Sequence, residues 1–368
     1  MVDIDEIKNI FAQLVEIDSP SLDERRMADY IIELFSKIGV ELIEDDSRDV
    51  TKSSAGNLHG YVKGNGKAPL LLAAHMDTVM PAYNKKAVFH SDGKVTSDGT
   101  TVLGADDLTG VTEIYEVIKY LKDNHISHRD IELLFTTGEE LYCVGAKAYD
   151  YSNIIAKEAL VLDLSGAIGT AAYAAPTILS FEANIIGKAA HAGFAPEDGI
   201  NAIKTACEAI ARLPQGHIDE VTTANIGIIE GGEGVNIVSP KVRVKGEIRS
   251  LNHEMAVKVA KTYKEVFGDA AIQNGAKLEW SEQTDIKAYE VSTQEDIVKK
   301  YEKACKKADI EPVLIKTFGG SDNNVFCQYG IKGLVVANSM NQVHSTKEYA
   351  DLYEVQKVVE IIAWMVSE

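Results

Sequence analysis

Residues 70–77 read LLLAAHMD, and the architecture follows from how this stretch must fold. Leu70 to Ala74 form an unbroken apolar row. A strand with one wet face would alternate apolar and polar residues, so the row describes a strand covered on both faces. Directly after it come His75 and Asp77. The same arrangement recurs downstream: Ile131 to Thr136 is a second buried strand followed by Glu139 and Glu140, and Ala159 to Leu162 is a third followed by Asp163. Between the first two, Val111 to Leu121 carries apolar residues at helical spacing. Strands alternating with helices imply an α/β fold whose mostly parallel sheet is covered by helices. Ahead of it, Asp5 to Ile17 and Asp23 to Ile38 read as helices, the second ended by Gly39, and Gly64-Asn65-Gly66 reads as a turn.

From about Thr177 the texture changes. Ile178 to Ile186 and Val242 to Ile248 alternate, while Asn201 to Leu213 and Glu254 to Phe267 have helical spacing, the pattern of a two-layer α+β unit. The α/β texture resumes near Lys287 with a helix from Gln294 to Lys307, strands Pro312 to Thr317 and Gly333 to Ala337, and a closing helix from Leu352 to Met365. The expected organisation is therefore a discontinuous domain, residues 1–176 and 287–368, interrupted by an inserted domain, residues 177–286. A chain of 368 residues exceeds what one core usually serves, which agrees with two domains.

Composition narrows the function classes. With 45% apolar and 25% charged residues there is ample core material and no case for disorder. The formal charge of −19 repels phosphate backbones and anionic lipid, so no nucleic-acid or membrane partner is expected, whereas cations are attracted. The acidic, amphipathic start lacks the basic and apolar regions of a signal peptide, and apolar runs such as PLLLAA are too short to span a bilayer; a cytoplasmic location is expected. Cys143, Cys207, Cys305 and Cys327 form no Cys-x-x-Cys pair and read as reduced structural thiols.

Ligands of open α/β sheets bind outside the carboxyl ends of the strands. In this chain those ends carry acids and histidines: His75, Asp77, Glu139, Glu140 and Asp163, joined by Asp106 and Asp107 in the loop GADDLTG and by His344 after the Gly333 to Ala337 strand. Each has an ordinary explanation alone. A histidine near a strand end is usually structural, and paired acids usually complement a helix dipole. Their convergence outweighs those explanations, because several carboxylates in a partly dry crevice repel one another and divalent cations relieve the repulsion. Two imidazoles and three carboxylates suit a pair of zinc ions sharing one carboxylate, and a spare acid beside them suits a general base.

The motifs AAHMDTV, GADDLTG, FTTGEELYCVGA, VLDLSG, GKAAHAGFAPEDGINAI, FGGSDNN and NQVHSTKEY resemble, in order and across nearly the whole chain, the zinc aminoacylase and exopeptidase family that contains peptidase T, carboxypeptidase G and succinyl-diaminopimelate desuccinylase. GADD and TTGEE look closest to the peptidase T branch. The resemblance implies two zinc ions per chain, replaceable by cobalt or manganese, with His75 and Asp163 on one, Glu140 and His344 on the other, and Asp106 bridging. It further implies that Asp77 orients His75, that Glu139 is the general base, and that Asp106 and Asp107 are joined by a cis peptide. The inserted domain would be a lid and dimerisation domain forming a homodimer, with His191 reaching the partner's site as an oxyanion donor. Asn236, Arg249, Gly319, Gly320 and Ser321 would hold the substrate carboxylate or carbonyl. Arg249 also fits a simple edge-strand charge. The remaining histidines match no motif.

Two departures stand out. Leu108 follows the paired aspartates where the family commonly has lysine, and Phe318 precedes the double glycine where peptidase T has arginine. The expected activity is hydrolysis of short peptides by a tripeptide aminopeptidase, with an N-acyl amino-acid amidohydrolase or a carboxypeptidase as the alternative in the same chemistry. A catalytically silent relative would lack a ligand or the base, and none is lacking. A two-metal phosphatase fits GGSD and the lid histidine less well than a carbonyl substrate does.

Overall fold

A computed structural model describes residues 2–367. The chain forms two compact units, the first comprising Met1–Ala174, Glu290–Thr317 and Ser321–Glu368, the second Ala175–Tyr289 with Phe318–Gly320.

In the first unit the strands Ile131–Thr136, Leu70–His75, Glu158–Leu164 and Lys332–Ala337 lie side by side and pair in parallel. Every residue of Leu70–His75 and of Ile131–Thr136 is buried, which is why neither alternates. Antiparallel strands flank this centre: Leu58–Val62 and then Leu42–Glu44 beyond Ile131–Thr136, and Thr170–Ala175 beyond Lys332–Ala337. The register decides where the chemistry sits. Leu70 pairs with Ile131 and His75 with Thr136, so both strands end at one level and the segments starting at His75 and Thr137 leave the sheet together.

The helix Ala105–Asp123 begins six residues before the apolar pattern that betrays it. Leu108 to Ile118 are buried on every side, so polar spacing gives no clue to its first turns. Asp106 and Asp107, joined by a cis peptide, lie in the first turn of this helix and depart from helical dihedrals.

The second unit is an antiparallel sheet in the order Gly216–His217, Thr222–Gly231, Lys241–Ser250, Thr177–Ile186, Lys277–Ile286. Alternate residues Leu179, Phe181, Ala183 and Ile185 form a core with Ala206 of the helix Ala202–Ile210 and with Ala260, Tyr263 and Phe267 of the helix His253–Asn274. Two strands escape the sequence pattern. Thr222–Gly231 shifts register between Ile226 and Ile228, which breaks its alternation, and Lys277–Ile286 is a largely exposed edge strand. Among the described residues no helix is long and apolar enough to cross a membrane.

Candidate active site

His75, the last residue of its strand, directs Nδ1 to the Asp77 carbonyl oxygen (2.9 Å), and its Nε2 lies 2.9 Å from Asp106 Oδ1. His344 comes from the loop after Lys332–Ala337. Its Nε2 lies 3.0 Å from Glu140 Oε1 and 3.3 Å from Asp106 Oδ2. Asp106 thus turns one oxygen to each imidazole. Two donor sets result, His75 with Asp106 and Asp163, and Asp106 with Glu140 and His344; within each set the ligand atoms lie within 4.8 Å of one another. All five residues belong to the first unit.

Electrostatics tests whether this arrangement suits cations. Burial first, and then the neighbouring acids, holds Asp163 well above the ordinary carboxylate range. Burial also raises Glu139 well above it, with Asp322 adding to the effect and His75 opposing it. Burial works against the charge of Asp106, but His344 and His75 outweigh it and keep Asp106 ionised. The His344 imidazole is pushed up to about 10 by hydrogen bonds to Asp106 and Glu140. Acids this close and this dry need compensating positive charge, and two imidazoles alone are too few. The donors fit divalent metal ions.

A second ring of groups holds the first. Asp77 accepts hydrogen bonds from Ser21 Oγ (2.6 Å), Glu139 N (3.0 Å) and Glu140 N (3.4 Å), which ties the His75 loop to the Glu139-Glu140 turn. Glu348 accepts from Gly104 N (2.8 Å) and Asp106 N (2.9 Å). Asp107 accepts from His75 N (3.1 Å), Asn338 Nδ2 (2.6 Å) and Gly110 N (3.2 Å). Gly110 has no room for a side chain, because a Cβ would lie 2.4 Å from Asp107 Oδ1 and 2.7 Å from the Leu162 carbonyl oxygen. Gly110→Ala is therefore expected to cost about 1–3 kcal/mol of stability as Asp107 is displaced, measured by urea unfolding; an unchanged midpoint would contradict the packing.

Glu139, 9% exposed, does not belong to either donor set. Its Oε1 accepts from Cys143 Sγ at 3.4 Å, and Glu139, Cys143 and Asp322 form a third close cluster. Ser321, buried beside Asp322, donates its amide to Asn324 Oδ1 (3.1 Å).

The other candidates lie in the second unit. His191 is exposed and stacks on Phe194, and its Nδ1 accepts from Gly193 N and Phe194 N. In the neutral ring this places the proton on Nε2, as a donor. Asn236 is exposed nearby, and its backbone carbonyl oxygen accepts from Ala192 N. Arg249 stands on an interior strand, so it is no edge charge. Its guanidinium donates to both carboxylate oxygens of Glu247 (2.8 and 3.2 Å) and to the Phe318 carbonyl oxygen (2.9 Å). A Cβ at Gly320 would meet Cδ1 at the end of the Ile286 side chain at 2.1 Å, so that side chain would have to turn aside.

Sequence reasoning passed over Ser21, Glu348, Asn338, Asp322 and Cys143 as site residues. Asp322, Cys143 and Glu348 lay inside the motifs FGGSDNN, FTTGEELYCVGA and NQVHSTKEY, so position was available as a signal. Ser21 and Asn338 reach the site only through the fold.

Comparisons with known proteins bear on the family of the chain. A family model described as a peptidase dimerisation domain matches residues 173–274, and one described as peptidase family M28 matches residues 57–187. The chain is 38% identical to the uncharacterized protein YqjE of Bacillus subtilis over 97% of its own length and 96% of that protein's. It is similar to the crystal structure of aminopeptidase PepT from Bacillus cereus (36% identity, TM-score 0.93, covering 100% of this chain and 98% of that one). It is also similar to that of a tripeptidase from Staphylococcus aureus (32%, TM-score 0.96, 100% and 98%). Near-complete coverage at these identities places both units of the chain in one known family: it is a peptidase, and it belongs to the zinc-dependent exopeptidase family that contains peptidase T.

Proposed function

We propose that this peptidase is a two-zinc aminopeptidase that removes the first residue from short peptides, tripeptides above all. The observation that carries the proposal is the pair of donor sets joined at Asp106. His75 and Asp163 would hold one ion, Glu140 and His344 the other, and Asp106 both. The nitrogen and oxygen donors suit zinc and would accept cobalt or manganese. When bound, the ions would polarise the scissile carbonyl and acidify the attacking water.

The chain's own groups do the rest. Glu139 takes a proton from the attacking water and returns it to the departing amine, a role that suits a carboxylate raised above its ordinary range and lying outside both donor sets. Asp77 fixes the His75 ring so that Nε2 faces the donor set. His191, with its proton on Nε2, is proposed as the oxyanion donor in a homodimer formed through the 177–286 domain; the match to a peptidase dimerisation domain supports that assembly. Asn236, Arg249, Gly319, Gly320 and Ser321 are proposed to bind the substrate, and residues 1–176 with 287–368 to form the catalytic domain.

Recognition of the amino end is favoured over the carboxyl end by charge. The donor region is rich in carboxylates that suit an ammonium group, while the charge of Arg249 is already paired with Glu247 and Phe318 supplies no second cation. The named resemblance to a PepT aminopeptidase and a tripeptidase supports the same reading. A panel of free, N-acetylated and C-amidated di- and tripeptides beside N-acyl amino acids, with products identified by mass, tests it. A free tripeptide should be cut at its first bond, and acetylating its amino end should lower kcat/KM by at least about tenfold, equivalent to about 1.4 kcal/mol. Amidating the carboxyl end should cost less than acetylation. Preference for N-acylated compounds would instead assign an amidohydrolase.

A further inference from the structure

We propose that Cys143 is a positioning residue for Glu139: its thiol, brought back by a left-handed turn, hydrogen-bonds the Glu139 carboxylate and fixes the direction in which that carboxylate exchanges protons. The proposal rests on the reading of Glu139 as the general base.

The backbone makes the contact possible. After the short 3-10 turn Glu139–Leu141, Tyr142 (φ +63°) and Cys143 (φ +59°) both adopt the left-handed conformation, which residues with a Cβ rarely take, still less in succession. The chain doubles back, Cys143 N donates to the Glu139 carbonyl oxygen (2.7 Å), and Val144 N to that of Gly138 (3.1 Å). The Cys143 side chain, 1% exposed, is thereby carried to the buried end of Glu139, and Sγ reaches Oε1 at 3.4 Å.

The surroundings explain what the thiol contributes. Asp322 completes the cluster within reach of the same thiol; its Oδ2 is held by Thr136 Oγ1 (2.5 Å), while its buried Oδ1 makes no hydrogen bond of good geometry. Two carboxylates facing each other in a dry pocket repel, and the thiol is the one neutral donor in the cluster. Burial first, and then the charges of Glu139 and Asp322, raises the thiol well above its ordinary range and keeps it protonated, as the hydrogen bond to Glu139 requires. An S–H group is a weak donor, but in a low-dielectric pocket a bond to a carboxylate counts for more than it would in water.

The test uses the substrate of highest kcat/KM from the peptide panel and the metal-loaded full chain. Cys143→Ala should lower kcat about tenfold while KM, metal content and thermal midpoint stay at wild-type values. Cys143→Ser, which keeps a donor, should recover to within about threefold. Glu139→Asp draws the carboxylate away from the thiol, so adding Cys143→Ala in that background should cost nothing further. A crystal structure of Cys143→Ala should show Glu139 in more than one rotamer. The proposal is overturned if Cys143→Ala keeps kcat within twofold, if it loses metal or folding along with activity, or if alanine and serine behave alike. Should Glu139→Ala itself leave activity intact, it is the assignment of the base that fails.

Discussion

Glu139→Ala is expected to lower kcat by about 10²- to 10⁴-fold while both metal ions remain bound, the range over which positioned general bases contribute. Its neighbour should behave differently. Glu140 Oε1 stands 3.0 Å from His344 Nε2 and belongs to a donor set, so Glu140→Ala removes one of three protein ligands and should empty that site at moderate metal concentration. Glu139 belongs to neither set, and its loss leaves both intact. Adjacent glutamates with opposite phenotypes, one silent in metal content and the other not, are hard to obtain unless the 3-10 turn directs them as described. Metal analysis of both variants alongside kcat decides it, and the reverse pattern would show that base and ligand have been exchanged.

Much of this was legible in the sequence, because buried parallel strands leave a strong signature. The rows Leu70 to Ala74 and Ile131 to Thr136 have no polar face to confuse the reading, and polar residues just beyond them mark the crevice where a sheet of this class binds ligands. What the rows do not show is register. That His75 pairs with Thr136 explains why the His75 loop and the Glu139-Glu140 turn share a site, and it depends on contacts between strands more than fifty residues apart. The same holds for Ser21, which donates to Asp77 from 56 residues upstream, and for Glu348, which caps the Asp106 amide from 242 residues downstream.

The start of the Ala105–Asp123 helix was hidden for a different reason. Periodicity reports an exposed face, and a helix buried around most of its circumference has none to report. In the second unit the bulge at Ile226 and Ile228 shifts the inward set of side chains, so the alternation that exposes Thr177–Ile186 is lost in its neighbour. Arg249 shows the limit of pattern alone: alternation located it on a strand, but only the structure reveals that Glu247 and the Phe318 carbonyl occupy three of its five N–H donors.

The central claim is that two divalent ions held by His75, Asp106, Glu140, Asp163 and His344 are required for peptide hydrolysis. The donor cluster keeps several carboxylates close together in a buried crevice, so stripping the ions should abolish activity outright instead of reducing it. The direct measurement is metal content by plasma mass spectrometry together with tripeptide hydrolysis, after dialysis against a chelator and during stepwise return of zinc, cobalt or manganese. Activity should disappear in the stripped protein and return as occupancy climbs to two ions per chain, with any of the three metals able to restore it. Full hydrolysis by metal-free protein, or saturation at a single ion, would contradict the account.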